Sequence, residues 1–291
     1  MKNSKFLSID PKFYGRSYDD LYGKTDDELL LHYHNFGEIE GRMASPYSVS
    51  KGLLSVIRSN ESVLEIGPFA SPVAKGEGVK YFDIMDQKAL IEHALKIGYA
   101  TNNIPKIDYV SKNGDLSIVG DKSFDFVVSS HCIEHQPDLI EHLNQVSRIL
   151  KPSGCYLLMI PDKRYCFDHY LPESNIADVV QAHFEKRTSH NLCSLIKNHM
   201  LLTHNDTIRH WEGDHGPMPT ACEPGVMKRV FEEYKSLNGD YIDIHAWQFT
   251  PRSFLNLIEQ LHGAELVTLI PNYVFGTNRD GNTFSAVLCN A

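Results

Sequence analysis

Glu65, Gly67 and Asp83 are the residues whose types and spacing first point to chemistry. From Ser62 the chain reads SVLEIGPFASPV, an apolar strand ending in an acid and a glycine, and from Val79 it reads VKYFD, a second strand ending in an acid. In an α/β sheet such a pair presents a nucleoside: glycine turns without a Cβ, so backbone can approach a ligand, and the acid at the neighbouring strand tip accepts hydrogen bonds from ribose hydroxyls. Val63, Leu64 and Ile66 bury the first of these strands. A plain structural βα corner looks the same, and the stretch alone leaves both readings open.

The elements that must hold these residues can be read from periodicity and punctuation. A helix over 46–59 leads into a strand at 62–66, and a helix over 86–97 follows the strand at 79–83. A short strand at 107–110 and a near-continuous apolar run at 124–129 come next, the run being the mark of a central parallel strand. Leu139, Leu143, Val146 and Leu150 give one face of a helix over 137–151 that Pro152-Ser153-Gly154 stops, and 155–160 is the fifth strand. From 171 to 248 the chain is polar, histidine-rich and mostly helical in pattern. A helix over 251–261 and two strands, 265–270 and 283–288, with a turn at 278–281, close it.

The predicted fold class is therefore α/β, a Rossmann-like, doubly wound, seven-stranded sheet. Its divisions are an N-terminal helical arm (1–45), a core (46–170 and 249–291), and an insertion (171–248) lying over the carboxyl ends of the strands, where α/β ligands bind. In the arm, Thr25 before Asp26, Asp27 and Glu28 signals a helix start, and Leu29, Leu30, Tyr33 and Phe36 form an apolar stripe that Gly37 ends.

Composition bounds the function. With 291 residues, 42% hydrophobic and 22% charged, the chain has ample material for a core. A formal net charge of −9 without a dense Lys/Arg cluster argues against nucleic acid as a partner. No apolar run is long enough to span a bilayer and the start has no signal-peptide core, so the expected location is cytoplasmic. The six cysteines are dispersed with no CxxC pair, which predicts reduced thiols rather than a zinc knuckle or disulfide framework.

The run FDFVVSSHCIEHQPDLIEHLNQVSRILKPSGCYLLMIPDKRYCFD (124–168) decides between the two readings of the first strand and turn. Strand, H-x-x-E-H, a Pro-Asp helix start, R-x-L-K-P-x-G, strand and P-D-K-R-Y-x-F-D together resemble the class I S-adenosylmethionine-dependent methyltransferases. The last element is similar to that of a subgroup associated with sugar and polysaccharide biosynthesis, which also favours E-I-G-P-x-x-x-P as its first motif. IHAWQFTPRSFLNLIEQL (244–261) is a further match. The arm, with H-Y-x-x-x-G-x-x-E-G-R at 32–42, resembles a segment of proteins that assemble bacterial surface polysaccharides. A dinucleotide-binding dehydrogenase is the competing reading, and the missing G-x-G-x-x-G disfavours it.

The resemblance implies an antiparallel last strand, S-adenosylmethionine as cofactor, and methyl transfer to the oxygen of a saccharide or nucleotide sugar in cell-surface glycan assembly, with glycan-assembly proteins as partners through the arm. Another small-molecule O- or N-acceptor and a non-catalytic scaffold are the alternatives it leaves. It assigns Glu65, Gly67 and Pro68 to the turn beneath the amino-acid part of the cofactor, Asp83 to the ribose, Asp115 and Leu116 to the adenine, with Asp108 as the alternative acid and a plain turn as the alternative role of Asp115, and Ser130 and His131 to the methionine end. A hydroxyl acceptor needs its proton removed, so His131, with His135 behind it, is the candidate base. Asp162, Arg164, Tyr165, His215, His245 and Trp247 are the candidate acceptor contacts, since aromatic faces with polar tips suit sugar rings. His131, Glu134 and His135 also resemble the E-x-x-E-H ion site of some quinone-pathway methyltransferases, with histidine for the first acid, and no metal is assigned on that basis.

Overall fold

The computed structural model describes residues 7–219, 224–240 and 242–290. In chain order the helices are α1 (Pro11–Ser17), α2 (Asp26–His32), α3 (Ser50–Leu54), α4 (Gln87–Lys96), α5 (Leu139–Ile149), α6 (Ile176–Phe184), α7 (Leu192–Leu201), α8 (Thr207–Trp211), α9 (Val226–Leu237) and α10 (Pro251–Gly263). The strands are β1 (Val63–Ile66), β2 (Val79–Asp83), β3 (Tyr109–Val110), β4 (Phe124–Ser130), β5 (Leu150–Pro161), β6 (Leu269–Val274) and β7 (Thr283–Asn290). They form one seven-stranded sheet in the order β3-β2-β1-β4-β5-β7-β6. The first five run parallel, and β7 runs antiparallel to both β5 and β6, as expected for the Rossmann-like methyltransferase fold.

Apolar patterning explains this order. Val127, Val128, Leu157 and Leu158 of β4 and β5 are no more than 1% exposed, because both faces of the central strands are covered. Asp138 caps α5 by accepting from the Glu141 amide at 3.0 Å, and Leu139, Leu143 and Val146 then bury one face of that helix. Thr250 and Ser253 close a capping box on α10, with Pro251 in the first turn. Every parallel strand thereby ends at the same edge of the sheet, where β1, β2 and β4 deliver their polar tips. Among the described residues no helix is long and apolar enough to cross a membrane.

Several sequence expectations change. The helix over 46–59 is a 3-10 turn, Pro46–Ser48, followed by the short α3, because Val49 between them is extended. The closing strand expected at 265–270 starts later, at Leu269, since Glu265 turns the chain at φ 59°. Pro271 is tolerated in β6 because that strand lies at the sheet edge and its register slips there. Cys155 and Cys289 stand opposite each other on β5 and β7 and are joined by a disulfide, correcting the expectation of reduced thiols at that pair.

The arm helix α2 is capped by Thr25 as expected, but its stripe is narrower than the sequence suggested. Leu29 and Tyr33 are buried, whereas Leu30 on α2 and Phe36 on the π-helical turn Tyr33–Gly37 are exposed. The arm packs into the main core through Leu7, Tyr14, Leu21, Leu29 and Tyr33. The Ser8 amide donates to Val274 O at 2.6 Å, and the Arg252 guanidinium of α10 pairs with the buried Glu38 carboxylate.

Candidate active site

At the tip of β1 the chain turns at Gly67 with φ 67°, a conformation that disfavours a side chain. A Cβ there would also lie 3.0 Å from Cys132 Sγ. Glu65, two residues earlier, is 1% exposed, and its two carboxylate oxygens accept from the Val73 and Ala74 amides, each at 2.9 Å. Burial lifts its pKa to about 7 against the pull of those two donors. Both oxygens are committed to closing the 68–74 loop, so Glu65 shapes the turn instead of lining it, and the Pro68 ring is buried under the same turn.

Asp83 ends β2 one strand away. It is 7% exposed, accepts from the Met85 amide at 3.2 Å, and has its pKa raised by burial to about 6. A desolvated carboxylate of this kind gains from further hydrogen-bond donors, which ribose hydroxyls supply. Asp115 sits in the loop after β3, where its carboxylate accepts from the Ser117 amide (2.8 Å) and hydroxyl (2.7 Å), bonds that hold its pKa below the ordinary value. Leu116 is corrected: at 1% exposure it packs in the main core behind this loop and presents no face to an adenine ring.

β4 supplies the third tip. Ser129 is buried and its hydroxyl lies 2.7 Å from Tyr156 OH, which also meets His142 Nε2 at 3.0 Å, whereas Ser130 is only partly buried. His131 then turns at φ 50° and donates its amide to Met159 O at 2.9 Å. Its Nε2 lies 2.8 Å from Thr283 Oγ1, and that hydroxyl gives its single proton to Asn282 Oδ1 at 3.1 Å. With Asn282 in this orientation Nε2 carries the proton, and Nδ1 presents a lone pair. Solvent reaches the residue, yet the protein packed around the ring, together with His245, holds the imidazole neutral, with a pKa lowered to about 4.

Behind His131, a polar cluster joins the loop after β4 to the segment before α10. The Ala246 and Trp247 amides donate to Glu134 O at 2.7 and 3.1 Å. His245 Nδ1 lies 2.6 Å from Asp168 Oδ2, and the His245 and His135 rings meet edge to face at 4.7 Å. The Glu134 side chain is fully buried, and neither carboxylate oxygen has a hydrogen-bond partner. His135 is corrected as a base because its ring lies edge to face against His245 inside this cluster, behind His131, and not at the strand tip. Trp247 is corrected as an acceptor contact, because it is 4% exposed and its indole N–H donates to Gln136 O at 2.6 Å.

The residues expected to contact an acceptor begin after β5. Asp162 is 0% exposed and spends its carboxylate on Arg164 (2.6 Å) and the Thr277 hydroxyl (2.6 Å), which corrects it from substrate contact to anchor. The Arg164 guanidinium is thereby aimed and lies 5.1 Å from the centre of the Tyr165 ring. Tyr165 stacks on Trp211 at 3.8 Å and 8°, and the indole N–H donates to Gly281 O at 2.8 Å. His215 belongs to a separate stack, 3.7 Å from the His169 ring, with its Nδ1 3.0 Å from His210 Nδ1. A cavity of about 250 Å³ opens within the insertion between Ser189, Tyr234 and Asp240 and includes none of the strand-tip residues.

Thr283, Asp168 and Trp211 are the site residues to which the sequence pattern assigned no role, and Glu134 was weighed only within an ion-site pattern. Glu134 and Asp168 stand inside the run 124–168 and Trp211 in the histidine-rich insertion, so an acid or an aromatic ring in these polar stretches was the signal that could have found them. Thr283 carried no local signal, since its contact with His131 spans 152 positions.

A family model described as a methyltransferase domain matches residues 47–211. No curated protein matches the chain. Among solved structures, a SAM-dependent methyltransferase from Aquifex aeolicus is 13% identical, with 84% of this chain and 90% of that one covered and a TM-score of 0.38. A complex of a methyltransferase activator with a putative methyltransferase from Haloferax volcanii gives 13% identity, 89% and 94% coverage and a TM-score of 0.40. A SAM-dependent methyltransferase from Thermotoga maritima, described as a possible histamine N-methyltransferase, gives 20% identity, 47% and 60% coverage and a TM-score of 0.30. These likenesses are distant, whereas the family match spans more than half of the chain: it belongs to the methyltransferase domain family, enzymes whose methyl donor is S-adenosylmethionine.

Proposed function

We propose that this methyltransferase transfers its methyl group to a hydroxyl oxygen of a saccharide or nucleotide sugar during the assembly of a cell-surface glycan. The observation that carries the reading is His131, a neutral imidazole at the tip of β4 whose tautomer is set by Thr283 and whose Nδ1 is free to take a proton. A hydroxyl must lose its proton as the new C–O bond forms, whereas a neutral amine needs no base before it attacks. With its depressed pKa, His131 accepts that proton late, once bond formation has made the hydroxyl strongly acidic.

On the donor side the reading uses Gly67 and Asp83, with Ser130 and Asp115 beside them. On the acceptor side it uses Arg164 and the edges of the Tyr165–Trp211 stack, whose faces are covered by each other and by Arg164 and Arg279, so that fixed cations and ring edges meet the hydroxyls of a sugar. His215 and His245 act from further back. The insertion, 171–248, serves as the cap over the acceptor, and the arm, 1–45, as the contact for other glycan-assembly proteins. Labelled methyl transfer from S-adenosylmethionine to panels of nucleotide sugars, oligosaccharides, amines and phenols tests the reading. It expects label on a saccharide, and His131→Gln cutting that turnover about 100-fold or more while S-adenosylhomocysteine still binds. Label confined to amines, or full turnover by the variant, would contradict it.

A further inference from the structure

We propose that Glu134, His135 and His245 bind one divalent first-row metal ion, which fastens the segment before α10 to the loop after β4. The starting observation is a buried carboxylate without donors. Glu134 is 0% exposed, and neither of its oxygens has a hydrogen-bond partner, an arrangement that is unfavourable unless something neutralises it. What surrounds Oε1 is a pair of imidazole nitrogens, His135 Nε2 at 3.7 Å and His245 Nε2 at 3.9 Å. Those separations are too long for hydrogen bonds. They fit ligand atoms that share an ion, since two atoms each about 2.0–2.2 Å from a metal stand roughly 3.3–4 Å apart.

The groups behind the ring nitrogens agree. His245 Nδ1 lies 2.6 Å from Asp168 Oδ2, so its N–H points at the carboxylate and its Nε2 lone pair faces Glu134. His135 Nδ1 lies 3.2 Å from Asp243 Oδ1 without making a hydrogen bond to it, while its Nε2 lies on the Glu134 side of the ring. A carboxylate behind a ligating imidazole, as Asp168 stands behind His245, is how metal sites fix the tautomer and raise ligand basicity. Two imidazoles and one carboxylate suit zinc, iron(II), cobalt(II) or manganese(II). The set differs from the one that H-x-x-E-H spacing suggests, because His131 Nε2 is already bonded to Thr283. A proton in place of the metal would draw the pair to hydrogen-bond distance, about 2.7–2.9 Å.

A second cluster, His169, His210 and His215, provides an internal control. Its nitrogens also lie within 4.8 Å of one another, but the rings of His169 and His215 stack at 12° with their lone pairs side by side instead of converging. The test is titration of the full chain, stripped with a chelator and dialysed, with cobalt(II) followed by its visible bands and with zinc(II) followed by calorimetry and thermal melting. One ion per chain is expected, with zinc raising the melting temperature. Glu134→Gln and His245→Gln should weaken binding at least 100-fold and Asp168→Asn about 10- to 100-fold, with folding of each variant checked by circular dichroism. His131→Ala and His210→Ala should bind as the parent does. Absence of stoichiometric binding, parent-like binding by folded Glu134→Gln and His245→Gln, or loss of the site in His210→Ala would overturn the proposal.

Discussion

Replacing Asp83 with asparagine should strengthen the empty protein and weaken its complex, two effects of opposite sign from one carboxyl group. Burial raises the Asp83 pKa from 3.8 to about 6. About two pKa units correspond to about 3 kcal/mol. Because the folded pKa lies above the unfolded one, the folded chain holds the proton more tightly; stability is highest below pH 3.8, falls as the pH rises towards about 6, and is level beyond. Asp83→Asn removes that cost while its amide oxygen can still accept from the Met85 amide. At pH 7.5 the ligand-free variant should therefore melt a few degrees higher, at about 2 °C per kcal/mol for a chain of this size.

The complex responds in the other direction. Two ribose hydroxyls donating to a carboxylate form charge-assisted bonds worth about 1.5–3 kcal/mol, so Asp83→Asn should weaken S-adenosylhomocysteine about 10- to 150-fold. These donors lower the carboxyl pKa in the complex, so binding releases a proton below about pH 6. Parental affinity should fall towards tenfold per pH unit below that point and be flat above it, while the variant should be flat throughout. Calorimetric titrations between pH 5 and 8, paired with melting curves, read both effects. A variant that melts lower and binds with parental affinity and parental pH dependence would refute the placement of Asp83 and its electrostatics together.

Three further outcomes follow from neighbouring parts of the fold. Gly67→Ala puts a Cβ at φ 67° and 3.0 Å from Cys132 Sγ, so it should cost about 1–2 kcal/mol in denaturant unfolding and weaken the cofactor as the turn shifts. Glu65→Ala leaves the Val73 and Ala74 amides without their acceptor and should cost about 1–3 kcal/mol, with faster proteolysis of the 68–74 loop. Arg252→Met strands the buried Glu38 carboxylate; a stability loss of about 1–3 kcal/mol should be accompanied by faster hydrogen exchange in the arm, and unchanged exchange there would contradict the docking described.

How far the site could be read from sequence depends on how local each determinant is. That Asp83 ends β2 and that Gly67 turns the chain after β1 was legible because strand alternation and a turn residue fix these places within a few positions. The sheet order was legible for a related reason, since apolar runs and helix caps punctuate it. Leu116 and Trp247 were misread because type says little about direction: a leucine or tryptophan beside a ligand loop and one behind it look alike until packing shows 1% and 4% exposure. Asp162 was misread because its partner Thr277 lies 115 positions away, and that bond consumes the acceptor capacity the sequence seemed to offer. The tautomer of His131 was illegible for the same reason, being set by Thr283 and Asn282 on the far side of the chain.

The measurement that tests the account most directly is the position of the transferred methyl group. Incubation with isotope-labelled S-adenosylmethionine and a saccharide acceptor, followed by NMR of the purified product, should show the label as an O-methyl ether on a sugar carbon, with little product formed by His131→Gln. Label on nitrogen, or on an oxygen of a non-saccharide acceptor when saccharides are offered in equal amount, would contradict the proposed function.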